Sequence, residues 1–382
     1  MIIESIEQIR EIDYGNKANN VIKMFQENIR VPESWVISHN YILRQIEKYL
    51  EISPEEIADS YSRVVDFLEN YPVELYSELY NEVKEMLNGC EKKVRLVVRS
   101  SHLLEDGDNY SFSGLFTTEI NISKPVNIVE AIIECWKKCF NESILEYFYI
   151  SNNQQLLIPC AVLIQRFIPS EVAGVMFKFG TNFCINSTWG MAKSIVDGST
   201  GYDYWLLDKN GDEQDYINSK KDINIPVFSL TNPRVGEDMP FFLSERNVKV
   251  KRFNNTNNFL YAQLDDSLRV VRSLKQEQIA ELVDLCISVS KKLNIAYCDI
   301  EWAYSKKTLY ILQCRSITRK MLSPTLNGEG DFLPLVGGVS RGACYFVSSE
   351  SEAKAFPKGA ILVAKRLNGA VLLAASKASG CI

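Results

Sequence analysis

Two long, apolar-rich runs separated by three residues constrain this chain more than any other feature. AYCDIEWAY (296–304) and TLYILQCRSIT (308–318) flank Ser305-Lys306-Lys307, the pattern of a β-hairpin. Alternate residues of a strand share a face. Asp299 and Glu301 therefore point one way, and Gln313 and Arg315 do the same on the second strand. If the strands pair through the short turn, one face carries two carboxylates, an amide and a guanidinium. Carboxylate and amide oxygens suit Mg2+, which borrows its remaining ligands from water and phosphates. A neighbouring arginine suits the phosphates themselves, as a fixed fork of donors. The same pattern also fits a solvated face with surface ion pairs, and the hairpin alone leaves both readings open.

The rest of the chain reads as mixed α and β. Residues 1–93 are mostly helical: Ser53-Pro54-Glu55-Glu56 starts a helix that runs to Asn70, and Val73 to Leu87 repeats the apolar spacing. VRLVVRSS (94–101) is a β-branched strand, and EDGDNYSFSGLFTTE (105–119) is a polar loop. A long amphipathic helix covers 127–149. Strands follow at 160–168, 174–180 and 183–189. Residues 198–260 are the least regular, with short strands expected around their recurring aromatics. Residues 275–293 form another amphipathic helix, ahead of the hairpin. Residues 321–333, with Pro324, Gly328 and Gly330, read as a linker. A new unit begins at 334, with a strand at 360–364 and an Ala-rich helix near 369–379.

Composition excludes several classes. At roughly 150 residues per domain, 382 residues suggest two or three domains with ample core. The net charge is −6, and no basic block exists to neutralise a nucleic-acid backbone. No apolar run approaches the ~20 residues of a membrane span, and the charged N-terminus lacks a signal-peptide core. Ten scattered cysteines without a CxxC pair read as reduced core filler, which points to the cytoplasm. Two histidines, His39 and His102, are too few for a His-rich metal site.

Three shorter segments are weak signals singly. Arg99-Ser100-Ser101 leaves a strand with hydroxyls in tow, which fits an anion site or an edge salt bridge. The loop Ser111 to Thr118 offers small hydroxyls and Gly114, and such loops can donate backbone N–H groups to phosphates. Lys17 lies within Tyr14-Gly15-Asn16-Lys17. No Walker A pattern is present, since GGVSRG (337–342) lacks the Gly-Lys-Ser/Thr ending.

Together the segments are specific. In chain order, YGNKANN, VPESWVIS, VRSSHLLED, SFSGLFTTEINI, IQRFIPSEVAGVMF, STWGMAKSIVDG, CDIEWAY and LYILQCRSIT resemble the ATP-binding region of the phosphoenolpyruvate synthase and pyruvate phosphate dikinase family, to which rifampicin phosphotransferases are related. The resemblance covers residues 10–320. It implies an α+β, ATP-grasp-type domain over 1–320, with lobes of about 1–168 and 169–320 closing on Mg-ATP. It further implies that Lys17 and Arg99 hold phosphates, and that Thr118, in the SFSG loop, contacts them on closure. Gln165 would sit near the adenine. Glu301 and Gln313 would hold Mg2+ with Asp299 in support, and Arg315 would meet the phosphates. The hairpin reading reached the last four residues independently.

Residues 334–382 resemble the opening of the family's swivelling phosphohistidine domain, and the chain stops before the turn that carries the family's phosphorylated histidine. The expectation is a fragment whose histidine lies in further sequence or in a partner. The resemblance implies a dikinase that passes phosphate from ATP to that histidine and on to a small acceptor such as pyruvate, releasing AMP. A swivelling domain directly after the ATP region leans away from the rifampicin type. A dikinase for an antibiotic or other small molecule remains an alternative, as does a nucleotide-binding interaction module without transfer. Two departures stand out: Gly190-Met191-Ala192-Lys193 where relatives have Gly-Leu-Gly-Glu, and Leu115-Phe116 where they tend to have glutamines. His102 stands where relatives have a small residue, as a side chain at the site's edge.

Overall fold

A computed structural model describes residues 2–10, 13–90, 94–103, 118–140, 159–192, 195, 202–218, 224–227, 252–256, 259–263, 270–317, 342–347, 349–364, 374–375 and 377–381. Two antiparallel sheets dominate. The first joins β1 (Glu4–Ser5), β2 (Ser34–Ile37), β3 (Leu96–Ser101), β4 (Thr118–Ile122) and β5 (Ala161–Arg166) in the order β1-β2-β5-β3-β4. The second joins β6 (Val172–Phe179), β7 (Asn182–Trp189), β8 (Asp203–Leu207), β9 (Glu213–Asn218), β13 (Cys298–Ser305) and β14 (Thr308–Ser316) in the order β14-β13-β6-β7-β8-β9. Between them in sequence, β10 (Asn224–Val227), β11 (Arg252–Thr256) and β12 (Phe259–Gln263) form a separate three-stranded sheet.

Side-chain alternation decides what each sheet faces. On the first sheet, Leu96, Val98, Val162 and Ile164 point to α2 (His39–Leu50), α3 (Tyr61–Glu69), α4 (Val73–Gly89) and α5 (Pro125–Lys138), around fully buried Ile42, Leu79, Val83 and Trp136. The opposite face carries Val36 and Leu163 and packs against α1 (Gly15–Gln26). On the second sheet, Cys298, Ile300, Trp302 and Tyr304 of β13 enter a core with α6 (Gln276–Lys292). Ala18, Val21, Ile22 and Met24 of α1 belong to that same core, so α1 packs with both sheets.

Gly174 in β6 shows how close these layers lie. A Cβ there would fall 2.0 Å from the Asn186 carbonyl oxygen and 2.7 Å from the Trp302 ring, so the glycine makes room for the buried indole. Seven cysteines, among them Cys286, Cys298 and Cys314, are buried free thiols, as the sequence reading expects. Burial pushes the Cys184 thiol up to about 12, which leaves it protonated at neutral pH.

The elements depart from the sequence reading in three places. The start at Ser53 gives a single 3-10 turn, Pro54–Glu56, with the Glu56 carboxylate accepting from the Ser53 N–H at 2.7 Å; Ile57 then drops into the core and a regular helix resumes at Tyr61. The N-terminal region also holds two strands, β1 and β2. The short strands expected in the irregular 198–260 stretch are present, β8 and β9 among them. The expected loop ends early, because Thr118 and Glu119 pair with Arg99 and Val98. The loop's residues 105–117, residues 141–149 of the long helix and most of the Ala-rich helix lie outside the described residues. Near the C-terminus, β15 (Cys344–Phe346), β16 (Ile361–Val363) and β17 (Gly380–Cys381) form a parallel sheet beside the short α7 (Glu350–Lys354).

Gly174→Ala is expected to lower folding stability by about 2 kcal/mol or more, because neither a backbone carbonyl nor a packed indole can give way cheaply. The urea midpoint of the variant against wild type measures this.

Candidate functional site

The hairpin pairs as its sequence suggests: Asp299 stands opposite Arg315, and Glu301 opposite Gln313. A β-bulge makes that register possible. Trp302 pairs with Ile311, so Leu312 is an extra residue on β14. Leu309 and Ile311 face the core, and unbroken alternation would send Gln313 there too. The bulge turns Gln313 and Arg315 onto the face of Asp299 and Glu301, and leaves Cys314 in the core.

Charge pairing then fixes the side chains. Arg315 Nε donates to Asp299 Oδ2 at 2.6 Å, and Nη2 lies 2.6 Å from the same oxygen. The Asp299 side chain is 6% exposed, so it needs this countercharge. Arg99 arrives from the first sheet. Its Nη2 donates to Gln313 Oε1 and lies 3.6 Å from Glu301 Oε2. Its Nε is buried and has no hydrogen-bond partner among the described residues. A buried guanidinium N–H without an acceptor is well placed to meet an oxygen of a bound anion.

The neighbours of Arg99 follow from strand register. Thr118 is its direct partner across the β3–β4 ladder, and Gln165 pairs with Val97 on the same sheet face. Thr118 is therefore the first residue of β4 and not part of the preceding loop; backbone pairing with Arg99 extends the strand to it. Gln165 is 3% exposed and donates through Nε2 to Ser34 Oγ at 3.3 Å.

Lys17 sits in the first turn of α1, which is clasped to the end of β3. The Asn16 N–H donates to the His102 carbonyl at 3.2 Å, and the Ala18 N–H to Ser101 Oγ at 2.9 Å. Gly15 has φ +74°, and a Cβ there would lie 2.1 Å from the Ser101 carbonyl oxygen. Only glycine lets the helix start this close to the strand. Asn20 ties the same helix to β14, donating to the Cys314 carbonyl at 2.9 Å. His102 is buried at 2% exposure beside this junction.

The structure thus joins Arg99, Glu301 and Gln313 directly, places Asp299 and Arg315 beside them, and puts Thr118 and Gln165 on the Arg99 face. Sequence reasoning missed an apolar patch on the acidic face of the second sheet. Ala173, Ala192 and Ala303 are buried there, with Ile168 and Leu312 packed against them. Alanines in step with Glu301 were the available signal; the bulge residue Leu312 had none. Lys193, Leu115 and Phe116 lie outside the described residues.

An α+β frame of two antiparallel sheets, with acid, amide and arginine side chains meeting between them, describes a class of nucleotide-handling domain. Residues 13–327 match the family described as pyruvate phosphate dikinase, AMP/ATP-binding domain, and the chain belongs to that family. The chain is similar to the probable phosphoenolpyruvate synthase of Methanocaldococcus jannaschii, with 23% identity over 402 residues, 96% of this chain and 32% of the relative. It is similar to the uncharacterized phosphotransferase YvkC of Bacillus subtilis, with 24% identity over 80% of this chain and 33% of the relative. The prodigiosin synthesizing transferase PigC of Serratia marcescens is 24% identical over 80% of this chain and 31% of its own length. The chain spans about a third of the length of these relatives. Among solved structures, the D-alanine–D-alanine ligase of Helicobacter pylori covers 80% of this chain and 54% of its own with 9% identity and a TM-score of 0.31, too slight a likeness to argue from. No helix among the described residues is long and apolar enough to cross a membrane.

Gly15→Ala is expected to raise the dissociation constant for ATP about tenfold or more, because it pushes the first turn of α1, which carries Lys17, off the end of β3. Titration calorimetry of the folded variant measures the change.

Proposed function

We propose that ATP binds between the two sheets and that this chain is the phosphoryl-donating module of a dikinase. The observation that carries the reading is the contact of Arg99, from the first sheet, with Glu301 and Gln313 of the second. In this reading Lys17, Arg99 and Arg315 hold the phosphate chain, and Thr118 adds a hydroxyl contact. Gln165 lies at the base, with the Ala173–Ala303–Leu312 patch as the apolar surface on which a purine can rest.

The donor set fits Mg2+. One nitrogen of Arg99 already touches an oxygen of Glu301 and the oxygen of Gln313, so a single cation can reach both. Asp299, occupied by Arg315, supports from one step away. Bound there, Mg2+ supplies positive charge to the phosphate oxygens. The residues position the donor and stabilise charge on the transferring group, and perform little covalent chemistry themselves.

One phosphoryl group passes to a histidine supplied by a swivelling phosphohistidine domain, in further sequence or in trans, and then to a small acceptor such as pyruvate; the other passes to water or inorganic phosphate, and AMP is released. The proposed division is an ATP-binding domain over 1–320, with lobes meeting near 168, a linker over 321–333 and the start of the swivelling domain over 334–382. The family and the names of its relatives, synthases and phosphotransferases, support this reading.

Arg99→Ala and Arg315→Ala are each expected to reduce phosphoryl transfer by at least about a hundredfold, measured at a temperature where the variant is folded; Arg315→Ala also lowers the melting temperature, because it leaves buried Asp299 without its countercharge. The assay follows 32P from γ- or β-labelled ATP onto a supplied phosphohistidine domain. Transfer at the wild-type rate in either variant overturns the site. Wild-type chain that binds ATP yet never transfers is a nucleotide-binding module instead.

The metal reading has its own test. Arg99 neutralises Glu301 in the nucleotide-free protein, so Mn2+ used as a probe for Mg2+ binds weakly without ATP. Arg99→Ala is expected to strengthen nucleotide-free Mn2+ binding severalfold, and Glu301→Gln to weaken it, as read by paramagnetic resonance. The opposite order removes Glu301 from the metal set.

A further inference from the structure

Gln165 and Ser34 are 3% and 1% exposed, and they pair across β5 and β2. Their hydrogen bonds form a short relay with a fixed direction. Ser34 Oγ lies 2.7 Å from the Pro32 carbonyl oxygen, which can only accept. The single hydroxyl proton of Ser34 is therefore used on Pro32, and toward Gln165 the hydroxyl can act only as acceptor. The Gln165 amide must then turn its Nε2 to Ser34, which is the 3.3 Å contact observed. The described residues make no other hydrogen bond to the Gln165 side chain. The relay thus fixes which of two near-equivalent amide orientations is adopted, and it presents Oε1 as the remaining acceptor.

We propose that Ser34 is a positioning residue that sets the nucleobase preference of this site, by locking the Gln165 amide in the orientation that accepts from an exocyclic amine. This inference rests on the reading that places Gln165 at the base. An amide reads a 6-aminopurine by accepting from its amine, whereas a 6-oxopurine presents an acceptor at the same position. A locked Oε1 facing that oxygen sets acceptor against acceptor, with the relay blocking the flip that would relieve it. A free amide discriminates far less, because it turns to suit either base. Ser34 is part of VPESWVIS, one of the segments that carry the family resemblance, and it lies on β2.

ATP and ITP differ only at this edge of the base, so their ratio reports the amide's orientation. Both are titrated, with Mg2+, as competitors of a fluorescent ATP analogue on wild type, Ser34→Ala, Gln165→Met and the double variant. Wild type is expected to prefer ATP by at least about tenfold. Ser34→Ala is expected to narrow that ratio about tenfold, mainly by improving ITP binding, which a merely structural lesion does not do. Gln165→Met is expected to bring the ratio near one, with no further effect of Ser34→Ala on top of it. A wild-type ratio in Ser34→Ala beside a collapsed ratio in Gln165→Met overturns the role of Ser34 and leaves the site reading standing. An unchanged ratio and unchanged ATP affinity in Gln165→Met overturn the placement of the base and the proposal with it. If Ser34→Ala does not fold, Ser34→Cys keeps the shape with a weaker acceptor and is expected to give an intermediate ratio; a wild-type ratio there overturns the proposal.

Discussion

The contact between Arg99 and the Glu301–Gln313 pair couples the two sheets electrostatically, and the rest of the site is arranged around it. Glu301 is only 22% exposed and shares a strand face with Asp299 at 6%. Two carboxylates so placed repel one another and lack full hydration. A pair of unit charges about 4 Å apart interacts by about 4 kcal/mol where the effective dielectric is near 20, so the two arginines decide whether this face is tolerable at all. Each carboxylate has one guanidinium within reach, and the face is close to neutral without ligand. A phosphate chain adds negative charge to that balance. Divalent cation and Lys17 offset it in the proposed complex, and Arg99 is free to exchange a carboxylate for a phosphate oxygen.

Helix α1 gives that coupling its geometry. It is joined to the first sheet through Ser101 and His102, and to the second through the Cys314 carbonyl, while its apolar side fills the second sheet's core. Arg30, a few residues beyond the helix, accepts from the Ile311 N–H at 2.9 Å, beside the bulge itself. The helix that carries Lys17 and is clasped to the strand of Arg99 therefore also holds the strand that carries Gln313. A disturbance at Gly15 reaches both sheets, because the helix is a shared part and not an ornament of one lobe.

Much of this was legible in the sequence where a simple period operates. The alternation in CDIEWAY separates Cys298, Ile300 and Trp302 from Asp299 and Glu301 without ambiguity. The motif series identified the family and singled out Arg99 and Lys17; that their strand and helix are clasped together through Ser101 no local pattern could reveal. The bulge at Leu312 was invisible, because an extra residue changes the face of everything after it while leaving composition untouched. The apparent agreement of Gln313 and Arg315 with the acidic face rested on their mutual spacing, which a bulge before them does not alter. Strand β4 was hidden for another reason: Thr118 and Glu119 have no apolar alternation, and only pairing with Arg99 and Val98 makes them a strand. Short strands were expected around the aromatics of 198–260, but the bounds of β8 and β9 were blurred by the Asp- and Asn-rich turn between them, where Asp208 accepts from the Asn210 and Asp212 N–H groups.

The far end of the hairpin explains how a site built on β13 and β14 keeps its register. Lys306 and Lys307 both adopt left-handed backbone, at φ 50° and 61°, a conformation that two-residue turns require and that glycine or asparagine normally fills. Two lysines accept the strain here because neighbouring groups hold the turn. Glu171, 7% exposed, accepts from the Lys306 N–H at 3.0 Å, and its own N–H donates to the Tyr304 carbonyl at 2.8 Å. Ser305 Oγ donates to the Pro169 carbonyl at 2.8 Å. These partners lie in the segment that leads from β5 of the first sheet into β6 of the second. The Glu171 carbonyl also accepts from the Gly190 N–H at 2.8 Å, which anchors the start of the Gly190–Lys193 segment. One short connection therefore sets the turn, the crossing between sheets and the entry to the segment whose acidic family residue is here a lysine. The bulge can shift side-chain phase at Leu312 without letting the strands slip, because both ends of the hairpin are tied to the first half of the chain.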